Sequence, residues 1–503
     1  MYSPSICTTK TNSVRLLDLV KFFLPLLPEV ELPDESVTLD EKIVFTVASG
    51  IIFLFGQLPL YGLGPDAAMN IRDPFYLFRS VFAMEKGTLL ELGLLPVMTS
   101  AFLWQLAAGL RLVKVNLSLR SERELFQTGQ KLTSFILGIV YTAGLIASGY
   151  FAPALRNQTG FEDSFPVTTY VFIFLQVFVM SAVMTLLVEV FDKGYGFGSG
   201  ILCFIALQAA SDLVRNIIGL EVVKLANSNK FESVGALMNL IRSFSFKTLG
   251  KNIYNSFNRE HLPNLTQVYI TIVTLLVVVA LQNFRIELPI RSTRARGMNN
   301  VFPIRLLYTG ALPLAFAYTV LTNLQVLGYI ASQLLESYSP VASSVIGKWT
   351  IDYRSSNLKV SSGILYFLSP PTSILNTLVS PLKTAAFTFV VIVLSAWFAN
   401  IWSSISGSSP KDISKQFKEQ GISIAGKRDI SITKELSRVI PVASVSGATV
   451  LALIAVAGEV LGGAGKGVGT IIGVSAAFGV LEEFMMEYQQ AGGNSQFSGA
   501  FGQ

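Results

Sequence analysis

Apolar runs of about twenty residues recur from one end of this chain to the other, and nothing else in it restricts the possible folds so tightly. Such a run, at about 1.5 Å of helix per residue, crosses roughly 30 Å of hydrocarbon. No water is available there to satisfy backbone N–H and C=O groups, so only helices and closed barrels can span. Ten runs qualify as helices: 43–60, 89–110, 132–152, 167–190 and 201–220 in the first half, then 265–281, 306–330, 385–401, 442–461 and 468–486. Hydrophobic residues make up 51% and charged residues 14% of the 503, too few charges to coat a water-soluble globule of this size. The expectation is an all-α polytopic membrane protein with ten transmembrane helices.

Two weaker stretches fail as spans. Residues 16–27 are short and interrupted by Lys21 and Pro25, and are predicted to form an interfacial amphipathic helix within a 1–42 N-terminal segment. Residues 364–378 are broken by Pro370 and Pro371 and are predicted to lie as a loop on the membrane surface. No cleavable signal peptide is read, because charges and prolines fill residues 1–42, and the first span then serves as the entry signal.

Side-chain chemistry excludes several classes. A single histidine, His261, and two distant cysteines, Cys7 and Cys203, make a zinc site, a disulfide framework or a Cys-His catalytic pair improbable. The glycine-rich run 194–200 follows no strand, and Gly465-Lys466 lacks the rest of a P-loop. A tight turn and close helix approach explain those glycines better than nucleotide binding does. A secondary transporter would carry ionisable groups near mid-membrane, but the best candidates, Asp212 and Arg215, lie near the end of their span. A membrane-embedded enzyme lacks any constellation of nucleophile, base or metal ligands.

The net charge of +6 is concentrated in loops. The connections after spans 2, 6 and 8 are the most basic short ones, which puts them and both termini in the cytosol. Residues 285–305 hold Arg291, Arg294, Arg296 and Arg305 among loop-forming Gly297, Asn299 and Asn300, and Gly426-Lys427-Arg428 adds a second exposed basic tip. Such arginines suit phosphate and RNA-backbone contacts, and two protruding loops of this kind can grip a large ribonucleoprotein.

Here the sequence resembles the SecY family, and within it the alpha subunit of the eukaryotic Sec translocon. The likeness is carried by Leu288-Pro-Ile-Arg-Ser-Thr-Arg-Ala-Arg-Gly297, Arg123-Glu-Leu-Phe-Gln127, Lys193-Gly-Tyr-Gly-Phe-Gly-Ser-Gly200 and Gly87-Thr-Leu-Leu-Glu-Leu-Gly93. It extends to Ile405-Ser-Gly-Ser-Ser-Pro-Lys-Asp412 and Lys415-Gln-Phe-Lys-Glu-Gln-Gly421. The Glu29-Val-Glu-Leu-Pro33 stretch, the 291–301 loop and the Glu487-Tyr-Gln-Gln490 tail look most like a second alpha subunit kept by some fungi.

The resemblance implies a SecY-type channel with two pseudo-symmetric halves of five spans, 43–220 and 265–488, joined by a lumenal loop 221–264 and ending in a cytosolic tail 489–503. It implies cytosolic loops at 285–305 and 402–440. It also implies a pore-forming subunit of the endoplasmic reticulum membrane that moves nascent secretory and membrane proteins cotranslationally, without covalent chemistry, cofactor or metal.

Expected partners are small single-span beta and gamma subunits, the ribosome, nascent polypeptides with signal sequences, the signal recognition particle receptor and membrane lipids. Ribosome contacts would fall on Arg294, Arg296, Arg305, Lys427 and Arg428. The apolar pore ring would comprise Leu94, Met98, Ile201, Ile205, Ala315 and Ile472, with Ala315 small enough that neighbours must fill in. Residues 61–86 would contain a plug helix capped by Asp73 with Pro74 in its first turn, followed by Phe75 and Arg79. A lateral gate between spans 2–3 and 7–8 would carry Thr99, Tyr141 and Asn323. Two positions depart from the family pattern: Tyr141 where relatives often have glutamine, and Ser404 where they have an acid. Of the sequons at Asn116, Asn157 and Asn264, only Asn157 would be lumenal and clear of the membrane.

Overall fold

A computed structural model describes residues 16–33, 37–63, 71–110, 112–113, 120–159, 167–224, 231–242, 249–257, 259, 262–292, 299–336, 338–352, 357–405, 409–420, 422–424, 429–463 and 465–490. Each predicted run overlaps one helix. Spans 1 to 5 are Leu39–Phe55, Leu95–Gly109, Arg120–Ala147, Val167–Asp192 and Gly200–Ile218. Spans 6 to 10 are Leu265–Gln282, Leu312–Glu336, Pro381–Ile405, Asp429–Val460 and Lys466–Gln490. Eight are long and apolar enough to cross a bilayer by themselves. Spans 1 and 2, with 17 and 15 residues, fall just short in helical length.

The helix ends follow local chemistry. Span 1 starts at a capping box, in which the Thr38 hydroxyl accepts from the Glu41 N–H at 3.4 Å and Glu41 Oε2 accepts from the Thr38 N–H at 3.0 Å. Span 2 begins at Leu95, six residues after the start of the apolar run that predicted it, because 89–94 are held in turns against the preceding segment. There the Leu94 N–H donates to the Phe82 carbonyl at 2.8 Å. Gly93, at φ +48°, lies so close to that carbonyl that a Cβ would approach it to 2.4 Å. Spans 3 and 9 run the other way, extending 12 and 13 residues before their predicted starts at 132 and 442, as helices that continue beyond the hydrocarbon.

The weaker stretches resolve as short elements. Residues Leu16–Phe23 form the expected helix, with Val20 packed on Trp104 and Phe126 of spans 2 and 3. The 364–378 loop is instead two short helices, Ile364–Phe367 and Ile374–Val379, separated at Pro370-Pro371. The predicted turn at 194–199 holds Gly194 and Gly198 at φ +90° and +68°, and Gly200 lies so near the Val188 backbone that a Cβ would sit 2.9 Å from its Cα.

Among the described residues, seven short strands lie outside the spans. β1 (Val222–Lys224) pairs with β2 (Phe231–Ser233), and β5 (Lys348–Ile351) pairs with β6 (Leu358–Ser362), all antiparallel. The loop after span 6 is a hairpin of β3 (Arg285–Ser292) and β4 (Asn299–Arg305), with Arg285 opposite Arg305 and Arg291 opposite Asn299. β7 (Ile422–Ile424), from the loop after span 8, adds to β3 with Arg291 opposite Ser423. The two basic loops therefore share one sheet. Ile304 of this sheet is buried with Ile413, Phe417, Ile432 and Leu436, which anchors it to helix Pro410–Gln420 and to the extension of span 9.

The two halves touch along two seams. Span 5 packs along span 10 on one side, and spans 2 and 3 meet spans 7 and 8 on the other. Gly473 serves the first seam: a Cβ there would come within 2.9 Å of the Ala209 Cβ.

Candidate functional site

Apolar side chains from both halves converge where the seams meet. Leu94, at the start of span 2, and Met98 on its first turn are buried together with Ile205 of span 5, Ala315 of span 7 and Ile472 of span 10. Ile201 of span 5 packs against the same cluster, half-buried. Five of the six predicted ring residues thus belong to one large buried apolar cluster and Ile201 packs against it, and Leu314 and Tyr318, on the helix that carries small Ala315, belong to the same cluster. Four helices contribute, two from each half.

Residues 71–93 pack into the same cluster through Phe75, Phe78, Val81 and Phe82. The predicted helix capped by Asp73 is not formed among the described residues: the chain makes turns and one 3-10 turn, Arg79–Val81. The Asp73 carboxylate does accept from the Phe75 N–H at 2.8 Å, but it is then taken by a side chain. Arg79, almost fully buried, pairs with both Asp73 and Glu91, and donates to the Tyr150 hydroxyl at 2.8 Å. Tyr150 in turn donates to Glu91 Oε1 at 2.8 Å, and Glu91 Oε2 accepts from the Gly87 N–H at 2.6 Å. Burial alone would lower the Arg79 pKa, but the Asp73 and Glu91 carboxylates outweigh it and hold it well above its ordinary value. Pairing two acids with one guanidinium thus replaces a helical turn.

A second tie comes from the other half. Glu459, near the end of span 9, accepts from the Gly465 N–H at 2.8 Å, and the Gly465 carbonyl accepts from the Ser80 hydroxyl. Gly465, at φ +82°, is pressed so closely on Leu77 that a Cβ would stand 2.2 Å from its carbonyl oxygen. A buried acid closing an apolar span was the available signal for Glu459, and sequence reasoning passed over it.

Along the seam between spans 2–3 and 7–8, the three predicted polar residues form one chain. The Tyr141 hydroxyl of span 3 donates to Asn323 Oδ1 of span 7, and Asn323 Nδ2 donates to Thr99 Oγ1 of span 2 at 2.9 Å. Tyrosine therefore fills the glutamine position as a donor from the neighbouring span. Nearer the basic face, Phe102 of span 2 stacks edge-on against Phe398 of span 8 at 5.2 Å and packs on Phe316 of span 7 at 5.7 Å. These aromatics were missed, since a phenylalanine in a span reads the same whether it faces lipid or a partner.

On the basic face, Arg305 closes β4 and pairs with Glu482 of span 10, whose hydrogen bond raises the arginine's pKa. Arg294, Arg296, Lys427 and Arg428 lie outside the described residues, the first two between β3 and β4 and the others after β7. Asp212 and Arg215 sit in the last two turns of span 5, where Arg215 is half-exposed and paired with Glu85 and Glu221. They do not form a mid-membrane ion site.

Comparison with known proteins agrees with this geometry. The SecY family matches residues 88–481, and the plug domain of Sec61p matches 51–87. The Sec sixty-one protein homolog of Saccharomyces cerevisiae is 41% identical over 496 residues, covering 98% of this chain and 99% of its own. The protein transport protein SEC61 subunit alpha of Neurospora crassa is 34% identical, covering 94% of this chain and 96% of its own. Among solved structures, the idle yeast Ssh1 complex bound to the yeast 80S ribosome matches with a TM-score of 0.76 at 40% identity, covering 97% of this chain and 99% of that one. The chain belongs to the SecY family of protein-conducting channels, with a plug domain of the Sec61p kind.

Proposed function

We propose that this protein is the pore-forming alpha subunit of a translocon in the endoplasmic reticulum membrane, with both termini cytosolic. It receives nascent secretory and membrane proteins from translating ribosomes and passes them across or sideways into the bilayer. What supports this reading is that Leu94, Met98, Ile205, Ala315 and Ile472, drawn from both halves, are buried in one apolar cluster together with Phe78 and Phe82. An apolar constriction excludes ions by dewetting and offers a sliding polypeptide no strong binding site.

In this reading, residues 71–93 are the seal that an entering chain displaces, and the Thr99–Asn323–Tyr141 chain holds the lateral gate shut. The ribosome is met by Arg305, which lies on the sheet of β3, β4 and β7, and by Arg294, Arg296, Lys427 and Arg428 of the connecting loops. Small beta and gamma subunits and a signal recognition particle receptor complete the working assembly. The chain itself does no covalent chemistry, so the energy for movement comes from synthesis on the ribosome or from a partner motor.

The test is to stall a signal-bearing nascent chain halfway and place a photo-crosslinker at Met98 or Ile205. Adducts to the nascent chain are expected at both. Their absence at both, with adducts on another membrane protein, would overturn the reading.

A further inference from the structure

The end of the molecule opposite the basic sheet holds a cleft that the transport pathway does not use. Span 7 leaves the sheet at Leu312 and ends at Glu336, and the chain returns through span 8 at Pro381. The described residues of the connection between them, 338–352 and 357–380, therefore lie at the far membrane surface. Within this connection, β5, β6 and the two short helices enclose a cleft of about 290 Å³, lined by Lys359, Tyr366, Asn376, Ser380 and Lys383. That is near the lower end of ordinary small-molecule sites, at about 300 Å³.

The short helix that contributes Tyr366 to it is anchored on span 7. The Leu365 carbonyl accepts from Gln325 Nε2 of span 7 at 3.2 Å, and Leu365 packs where a Cβ on Gly328 would collide with it at 2.5 Å.

Lys383 is the observation that points to a ligand. Only 5% of it is exposed, it lines the cleft, and no carboxylate among the described residues pairs with it. Its ammonium lies 4.8 Å from the centre of the Tyr366 ring, a contact that offsets part of the desolvation without supplying an opposite charge. Lys359 lines the same cleft, so two like charges face one space. The first turn of span 8 adds the positive end of a 25-residue helix. Asn376 gives one amide proton to Thr372 Oγ1 at 2.6 Å and keeps the other. The Ser380 hydroxyl is spent on the Asn376 carbonyl at 2.8 Å. The available donors are thus two ammoniums and an amide, a set that fits a phosphate.

What surrounds the cleft selects the source of that phosphate. Ile364, Leu375, Leu378, Val379 and Leu382 are all at least half exposed and adjoin it at the start of a membrane span. A soluble anion makes no use of such a ledge, whereas acyl chains do. We propose that this cleft binds the phosphate head group of an anionic glycerophospholipid, whose acyl chains lie along the exposed ledge.

The test follows thermal unfolding of the purified full chain in detergent. It is titrated separately with dioctanoyl phosphatidylinositol, dioctanoylglycerol, glycerophosphoinositol and inorganic phosphate. The phospholipid is expected to raise the unfolding midpoint saturably, and Lys383→Met to weaken its apparent affinity at least tenfold. Lys359→Gln serves as a milder second variant, expected to weaken it severalfold. An equal response to dioctanoylglycerol would show a chain-only effect and sink the proposal. An equal response to inorganic phosphate or glycerophosphoinositol would assign the cleft to a soluble anion instead. Unchanged phospholipid affinity in both lysine variants, or no response to any of the four probes, also overturns it.

Discussion

Thr99, Tyr141 and Asn323 are neutral polar side chains inside spans, and each is satisfied by one from another helix. A hydrogen bond of this kind is worth about 1 kcal/mol net, so removing both Asn323 contacts shifts a closed-to-open balance by about 1–2 kcal/mol, or roughly 5- to 30-fold. Asn323→Leu should therefore raise resting ion leak through proteoliposomes several-fold and relax the demand for a strong signal sequence. A leak no greater than in the unaltered protein would remove these residues from the closing mechanism. Arg79 presents a different balance. It carries two buried carboxylates, so Arg79→Met strands both, and loss of one partner of a buried pair costs about 3–5 kcal/mol. The unfolding midpoint should fall strongly in Arg79→Met and in Glu91→Leu. The double variant should lose clearly less than the sum, because removing the guanidinium and one acid together leaves fewer unpaired charges. Simple additivity across that cycle would mean that the ion cluster is not a coupled unit.

At the scale of elements, the sheet of β3, β4 and β7 makes the connections after spans 6 and 8 one body. Its register supplies a direct check. Arg291 and Ser423 face each other in an antiparallel pair, where Cα atoms stand about 4.5–5.5 Å apart, within the range a disulfide spans. Arg291→Cys with Ser423→Cys should oxidise readily and leave ribosome affinity nearly unchanged, since the bond fixes an arrangement already present. Arg291→Cys with Ile422→Cys, one residue out of register, should oxidise far less. This sheet also shows what the sequence made legible and what it hid. Hydropathy found every span because lipid imposes a long apolar run whatever the tertiary contacts. It misplaced the starts of spans 3 and 9, since the helices continue into polar residues 120–131 and 429–441, where propensity rather than lipid decides. It read 285–305 as a basic loop because the arginines dominate the eye. Yet Ile286, Leu288 and Ile290 alternate at the two-residue period of a strand, and that signal was present. Among the site residues, Thr99, Tyr141 and Asn323 stood out as polar against an apolar background. Phe102, Phe316 and Phe398 did not, because burial between helices leaves no mark on composition.

For the whole molecule, the two seams are built from different chemistry, and that difference assigns them different mechanical roles. Spans 5 and 10 approach through small residues, with Gly473 against Ala206 and Ala209, so their backbones lie close and tolerate little sliding. Spans 2 and 3 meet 7 and 8 through three side-chain hydrogen-bonding groups and an aromatic cluster, which can separate and re-form without moving a helix backbone through another. The first seam is suited to be the hinge and the second the opening. Gly473→Val should therefore destabilise the fold by about 1–3 kcal/mol, seen as a lower unfolding midpoint, because Ala209 must shift to admit the new side chain. The opening side can be tested without disturbing the fold. Cysteines in place of Thr99 and Asn323, joined by a short cleavable thiol reagent, tie span 2 to span 7 while leaving the basic sheet untouched. Ribosome binding should persist, whereas insertion of a signal-bearing chain should stop and then recover when the tether is cut. Full insertion through the tethered channel would show that these spans need not part, and the asymmetry of the two seams would then belong to assembly rather than to gating.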